Sequence, residues 1–260
     1  MSTSLVLSGF YFCVLTLALA HDGRGFDDSN SVDSNASPGF TQEFYKKAFS
    51  FAPYIGMFTN FTLQDMTNWV NDIVAWQEPL ELKQNFPYYI SGYDFDNRPI
   101  VIVEFGQYKI RELLEKGPRD VENLEKYIQK AGVNVLISMT PRNSSRKDVR
   151  EISAILDIAG FQYSQGIHVP TLEFARKLTV QYGPLLNVGV DKVVIVNANY
   201  IGDVFFQLLR PLLGQLLERV ELYGTKKSKW TVMLRRDFPI ESLPHWYGGN
   251  KDYKPVRMFG

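Results

Sequence analysis

Histidine, cysteine and paired carboxylates are the side chains from which catalytic or metal chemistry is usually built. In this 260-residue chain they are few and scattered. His21, His168 and His245 stand far apart, and His168 and His245 lie beside prolines. General-base work needs a nucleophile and an orienting group close to the imidazole, and neither is visible around any of the three. The adjacent pair Asp27 and Asp28 sits in a polar stretch and reads as solvated. The sequence contains no GxGxxG, no GxxxxGK[ST], no HExxH and no GxSxG. The reading is therefore non-enzymatic, with no metal site and no resident cofactor.

The only cysteine, Cys13, falls inside an N-terminal segment with no Asp, Glu, Lys or Arg. Leu5 to Ala20 is apolar and ends in Ala18-Leu19-Ala20, which fits the small-x-small pattern of a cleaved signal peptide. The run is short for a membrane span, which needs about 20 apolar residues. The expectation is a secreted, extracellular chain whose mature form has no thiol and no disulfide. Three sequons, at Asn35, Asn60 and Asn143, fit secretion and mark candidate glycan sites.

Two clusters carry more information. Lys226, Lys227, Lys229, Arg235 and Arg236 are interleaved with apolar residues. A solvated helix face explains them, and so does contact with an anionic lipid surface, where each basic residue adds ~1 kcal/mol. The stretch Gly202 to Leu217 is apolar around most of a helical circumference and has Pro211 in its interior. It reads either as a core helix or as a movable lid over an apolar pocket.

The elements that would position these residues follow from composition and periodicity. Apolar residues make up 45% of the chain and charged residues 22%, enough for a full core. Lys and Arg balance Asp and Glu at 28 each, which argues against a nucleic-acid binder working through bulk positive charge. Thr41 to Trp76 patterns as helix, with Thr62 and Asp65 in capping-box positions. Continuous β-branched runs at Ile100–Val103, Ile152–Ile158, Val193–Val196 and Val220–Tyr223 predict strands. Helical patterns over 120–139, 171–182 and 202–217 separate the strands after the first. Val133 to Ile137 is itself β-branched and locally ambiguous. The alternation implies βαβ units and a mainly parallel sheet, an α/β fold.

The order of these pieces resembles the CRAL-TRIO (Sec14-like) lipid-binding family. The matching residues are Phe86-Pro87-Tyr88-Tyr89, Gly92 to Gly106, Ile155 to Phe161, Tyr182-Gly183-Pro184, Val194 to Ala198, Leu209 to Leu213, Leu243-Pro244 and Tyr247-Gly248-Gly249. The resemblance implies a sheet floor flanked by helices, with 202–213 as a gate helix over an apolar pocket. It also favours helix over strand for Val133 to Met139. By analogy with tocopherol-transfer and retinaldehyde-binding members, Tyr163, Ile167, Leu178, Ile201, Phe205, Leu208, Ser138 and Phe161 would line that pocket. The family's basic-aromatic N-terminal module is not recognisable. Arg210 stands at the position of the lysine that binds inositol headgroups, and Phe174 stands near that of its glutamate.

The implied organisation is a signal peptide (1–20), a disordered leader (21–40), a reduced helical segment (41–85), the lipid-binding domain (86–250) and a C-terminal tail (251–260). The expected function is carriage of one small hydrophobic ligand by a secreted monomer, with an anionic membrane surface as a further partner. A secreted interaction protein whose pocket is filled, by side chains such as Phe161 and Phe205, is the alternative. A lipid hydrolase would need His168 or His245 clustered with a serine and an acid.

Overall fold

A computed structural model of the chain describes residues 39–140, 148–200, 203 and 214–260. The expected leader, the sequons at Asn35 and Asn143, and nearly all of the expected gate lie outside the described residues.

The centre is a six-stranded sheet in the order β5-β4-β3-β2-β1-β6. Its strands are β1 (Tyr88–Tyr93), β2 (Pro99–Val103), β3 (Ile152–Asp157), β4 (Val190–Ala198), β5 (Val220–Gly224) and β6 (Arg257–Phe259). Strands β2 to β5 pair in parallel, while β1 pairs antiparallel with both β2 and β6. The four β-branched runs are the four parallel strands. Val101, Ala154 and Val193 face one side in register, and Ile102, Ile155 and Val194 face the other. All six are completely buried, which is why these strands show no polar alternation.

Sequence periodicity missed both antiparallel strands. Tyr88–Tyr93 contains Ser91 and Gly92, and 257–259 is too short to carry a period. Their strand character comes from pairing. Tyr88 lies opposite both Val103 and Phe259, and its ring packs against Phe259 at 4.9 Å. Residues 251–260, expected as a tail, thus supply an edge strand.

Eight α-helical segments are numbered here in chain order among the described residues. They are α1 (Gln42–Ser50), α2 (Leu63–Ala75), α3 (Leu80–Asn85), α4 (Ile110–Leu114), α5 (Pro118–Ser138), α6 (Tyr163–Gly166), α7 (Val169–Gly189) and α8 (Lys227–Asp237). The β-branched end of α5 is helical, as the family resemblance favoured over local propensity. Helix α7 extends beyond the expected 171–182 because it continues through Pro184. Thr62 and Asp65 cap α2 reciprocally, as their spacing predicts. The last turn of the expected 202–217 helix is instead a 3-10 helix, Gly214–Arg219.

One sheet face packs against α5, α7 and the N-terminal helices, and the other against α8 and the closing segment through Tyr247. The N-terminal segment is fastened to the sheet domain at two places. At its start, Lys47 Nζ reaches Asp148 Oδ1 and the Val149 carbonyl, both at 2.6 Å. At its end, Lys130 of α5 holds Glu78 at 2.6 Å and donates to the Trp76 carbonyl at 2.7 Å. The Lys130 and Glu78 side chains are only 7% and 2% exposed, so this is a buried ion pair.

Candidate functional site

The described residues line a half-open apolar cavity of about 80 Å³ at the entering ends of β3 and β4. Its floor is Ile152 and Val190, the first residues of those strands. One wall is the second half of α5, with Val133, Leu136 and Met139. A second is the end of α7, with Tyr182, Leu185 and Leu186. The outer wall comes from the N-terminal segment, through Phe51, Ile55, Phe58 and Met66. No charged side chain lines the space, and Gln129 is its single amide. A cavity of this chemistry excludes water and gains free energy only from apolar occupants.

The expected pocket residues are distributed unevenly. Phe161 and Leu178 are buried in the core on the helical face of the sheet. Ser138 is half-buried; its hydroxyl donates to the Val135 carbonyl, and its own carbonyl accepts from the Tyr93 phenol. Tyr163 and Ile167 are 59% and 54% exposed, on the surface of the short α6 turn, and do not join Phe161 in the interior. Ile201, Phe205 and Leu208 lie outside the described residues. None of the five described ones lines the cavity itself. Its outer wall was not legible in the sequence, because which side of Thr41–Trp76 turns inward depends on how that segment docks.

A polar cluster occupies the opposite, exiting ends of the strands. Asp157, at the end of β3, accepts from the Tyr247 hydroxyl at 2.8 Å, from Asn197 Nδ2 at 2.9 Å and from the Ala159 amide at 2.9 Å. Beside it, the Tyr89 hydroxyl donates to Glu104 Oε1 at 3.3 Å. Burial, then the nearby Asp157 carboxylate, push the Glu104 carboxyl above its ordinary value. Burial, then Asp157, likewise push the Tyr247 phenol well above its usual range. Asp157 is saturated with donors, so its evident work is to tie the closing segment to the sheet. Gly106 belongs to this corner: a Cβ there would collide with the Ala159 carbonyl.

Of the two described histidines, His168 and His245, the first has the more suggestive neighbourhood. Its Nδ1 lies 2.8 Å from Thr171 Oγ1, and its Nε2 lies 3.5 Å from Glu115 Oε1. Thr171 is buried, and Glu115 is already paired with Arg111 at 2.8 Å. A nucleophile closed to substrate does not make a hydrolase, and the arrangement closes the first turn of α7. Among the described residues no cluster of His, Asp or Glu could hold a metal ion.

The basic cluster lies on and just before α8. Lys226, Lys227 and Lys229 are exposed and make no ion pair among the described residues, and no acidic residue occupies the first turn of the helix. Arg235 and Arg236 are also exposed but engaged: Arg235 donates to the Gly248 carbonyl at 2.6 Å, and Arg236 pairs with Asp237 at 2.6 Å. Asn60 is exposed in the turn before α2.

With this geometry in view, comparison with known proteins decides the family. The family model described as the CRAL/TRIO domain matches residues 83–249, more than half of the chain. The chain belongs to the CRAL/TRIO family. Among solved structures, that described as "Crystal structure of Sfh5" is similar in fold, with a TM-score of 0.50 and 10% sequence identity. The match covers 84% of this chain and 75% of that one. No curated protein matches the chain. Membership in the CRAL/TRIO family implies lipid binding or transfer, a role of that family rather than an enzymatic one.

Proposed function

We propose that this CRAL/TRIO protein is a secreted carrier of one small hydrophobic ligand. The apolar cavity between α5, α7 and the N-terminal segment is the observation that supports it most directly. Export is supported by the apolar N-terminal run with its small-residue end, and by the exposed sequon at Asn60. Residues 202–213 act as the gate of the family fold, and release takes place at an anionic membrane that attracts Lys226, Lys227 and Lys229. The protein works as a monomer without a cofactor.

Native mass spectrometry before and after organic extraction tests the proposal. A mass excess that extraction removes, and that returns on adding back the extract, is expected. Absence of any co-purifying or exchangeable hydrophobic molecule overturns it. One observation favours a second reading, an interaction protein with a filled pocket. The cavity of about 80 Å³ is smaller than the engineered cavity of ~150 Å³ that accepts benzene. A lipid therefore fits only if a wall of the cavity moves.

A further inference from the structure

The cavity has one wall built differently from the rest. The floor is sheet, and two sides are α5 and α7, helices of 21 residues each, of which α7 is interrupted only at Pro184, which has no N–H to donate. The outer wall, residues 51–58, is made of two isolated 3-10 turns, Ala52–Tyr54 and Gly56–Phe58. These turns are closed by only a few i→i+3 bonds, such as Ile55 N to the Ala52 carbonyl at 3.1 Å and Phe58 N to the Ile55 carbonyl at 2.8 Å. Pro53 and Gly56 punctuate the stretch.

The side chain over the rim is Met57, 40% exposed between the buried Ile55 and Phe58. Its sulfur meets three donors from the facing helices. Gln181 Nε2 is 3.1 Å away, Gln129 Nε2 3.8 Å and the Tyr182 hydroxyl 3.8 Å. Gln129 and Tyr182 also line the cavity, so the thioether sits at its edge. A thioether is a weak acceptor on a flexible, unbranched chain. These three contacts to Met57 are weak, while Phe51, Ile55 and Phe58 beneath it are packed into the core. The flanks are held in place. Lys47 pins α1 to Asp148, and the buried Lys130–Glu78 pair pins the chain after α2.

We infer that the 51–58 wall is the portal of the cavity and that Met57 is its latch. This deepens the lipid-carrier reading and rests on it. It adds a second passage, at the entering ends of β3 and β4, to the gate proposed for residues 202–213, which follow the exiting end of β4 in sequence. The passing ligand is an apolar chain, which slides beneath Met57 while any polar end stays near the amides of Gln129 and Gln181.

The test uses a fluorescent anthroyloxy-stearic acid probe and stopped-flow release into excess vesicles. In one variant Met57→Cys and Gln181→Cys are bridged by a short bis-maleimide, with Cys13→Ser removing the native thiol. Bridging is expected to slow probe release at least roughly tenfold relative to the unbridged variant. In a second variant, Met57→Ala is expected to speed release by roughly three- to tenfold, the size of the lost sulfur contacts. Equal release with and without the bridge overturns the portal while leaving the carrier reading intact. Wild-type protein that takes up no probe and carries no extractable ligand overturns both.

Discussion

At the scale of single residues, the most informative group is Glu104. Its carboxyl is held above the ordinary value of 4.5 by burial and by Asp157. A raised acid binds its proton more readily in the folded state than in the unfolded one. Its contribution to stability is therefore fully present below pH ~4.5 and is lost as pH rises through the folded value. Glu104→Gln removes the charge and keeps an acceptor for Tyr89. The variant should have a higher urea midpoint than wild type at pH 7, with the difference shrinking towards pH 4. An equal or lower midpoint at pH 7 would contradict the assignment. Tyr247→Phe tests the neighbouring contact. It leaves Asp157 short of one donor in a buried corner and should cost about 1.5–3 kcal/mol by denaturant titration.

At the scale of elements, the N-terminal helices are part of the folding unit and supply a cavity wall that no strand or domain helix provides. Their attachment depends on Lys130 and Glu78, which are buried together. Lys130→Ala leaves the buried Glu78 with Lys83 Nζ, 3.0 Å away, as its remaining cation and should lower stability by about 1–3 kcal/mol. Replacing both together, as Lys130→Met with Glu78→Leu, should recover most of that loss. Equal losses in the single and double variants would show that the pair does not act as a unit. Helix α8 shows the opposite economy. Lys226, Lys227 and Lys229 cluster at its N-terminus, where positive charge opposes the helix dipole. No ion pair among the described residues compensates them, which is consistent with a surface kept for anionic contact.

At the scale of the whole molecule, charge and apolar space are segregated. The chain carries no net charge, yet three unpaired lysines gather before and on α8 while apolar space collects on the other face of the sheet. Charge reversal at Lys226, Lys227 and Lys229 should weaken binding to phosphatidylserine vesicles by about a hundredfold at low salt, at ~1 kcal/mol per residue. The difference should narrow in 0.5 M salt, because exposed charges are screened. Vesicle binding that is the same for both proteins, or insensitive to salt, would remove this face from the proposal. Among the described residues no helix is long and apolar enough to cross a membrane.

Some of this architecture was legible in the residues alone. Strands β2, β3 and β4 announced themselves because both of their faces are buried, which favours apolar, β-branched runs, while the edge strand β5 is only half-buried and gave a weaker run. The capping box at Thr62 and Asp65 was equally plain, since it needs only two side chains three residues apart. The family motifs implied the sheet floor and the sequence of elements around it, while the strand order came from the structure. Strands β1 and β6 stayed hidden because pairing, and not local pattern, makes them strands. The cavity stayed hidden for a related reason. Its lining is drawn from α1, α2, the 3-10 turns, α5, α7 and the first residues of two strands, and no period links these in sequence. Local composition and spacing determined which segments become buried, because burial of each element's apolar face is written within that element. Only the tertiary structure decided which buried faces meet without filling the space between them, because a void is a property of several elements packed together.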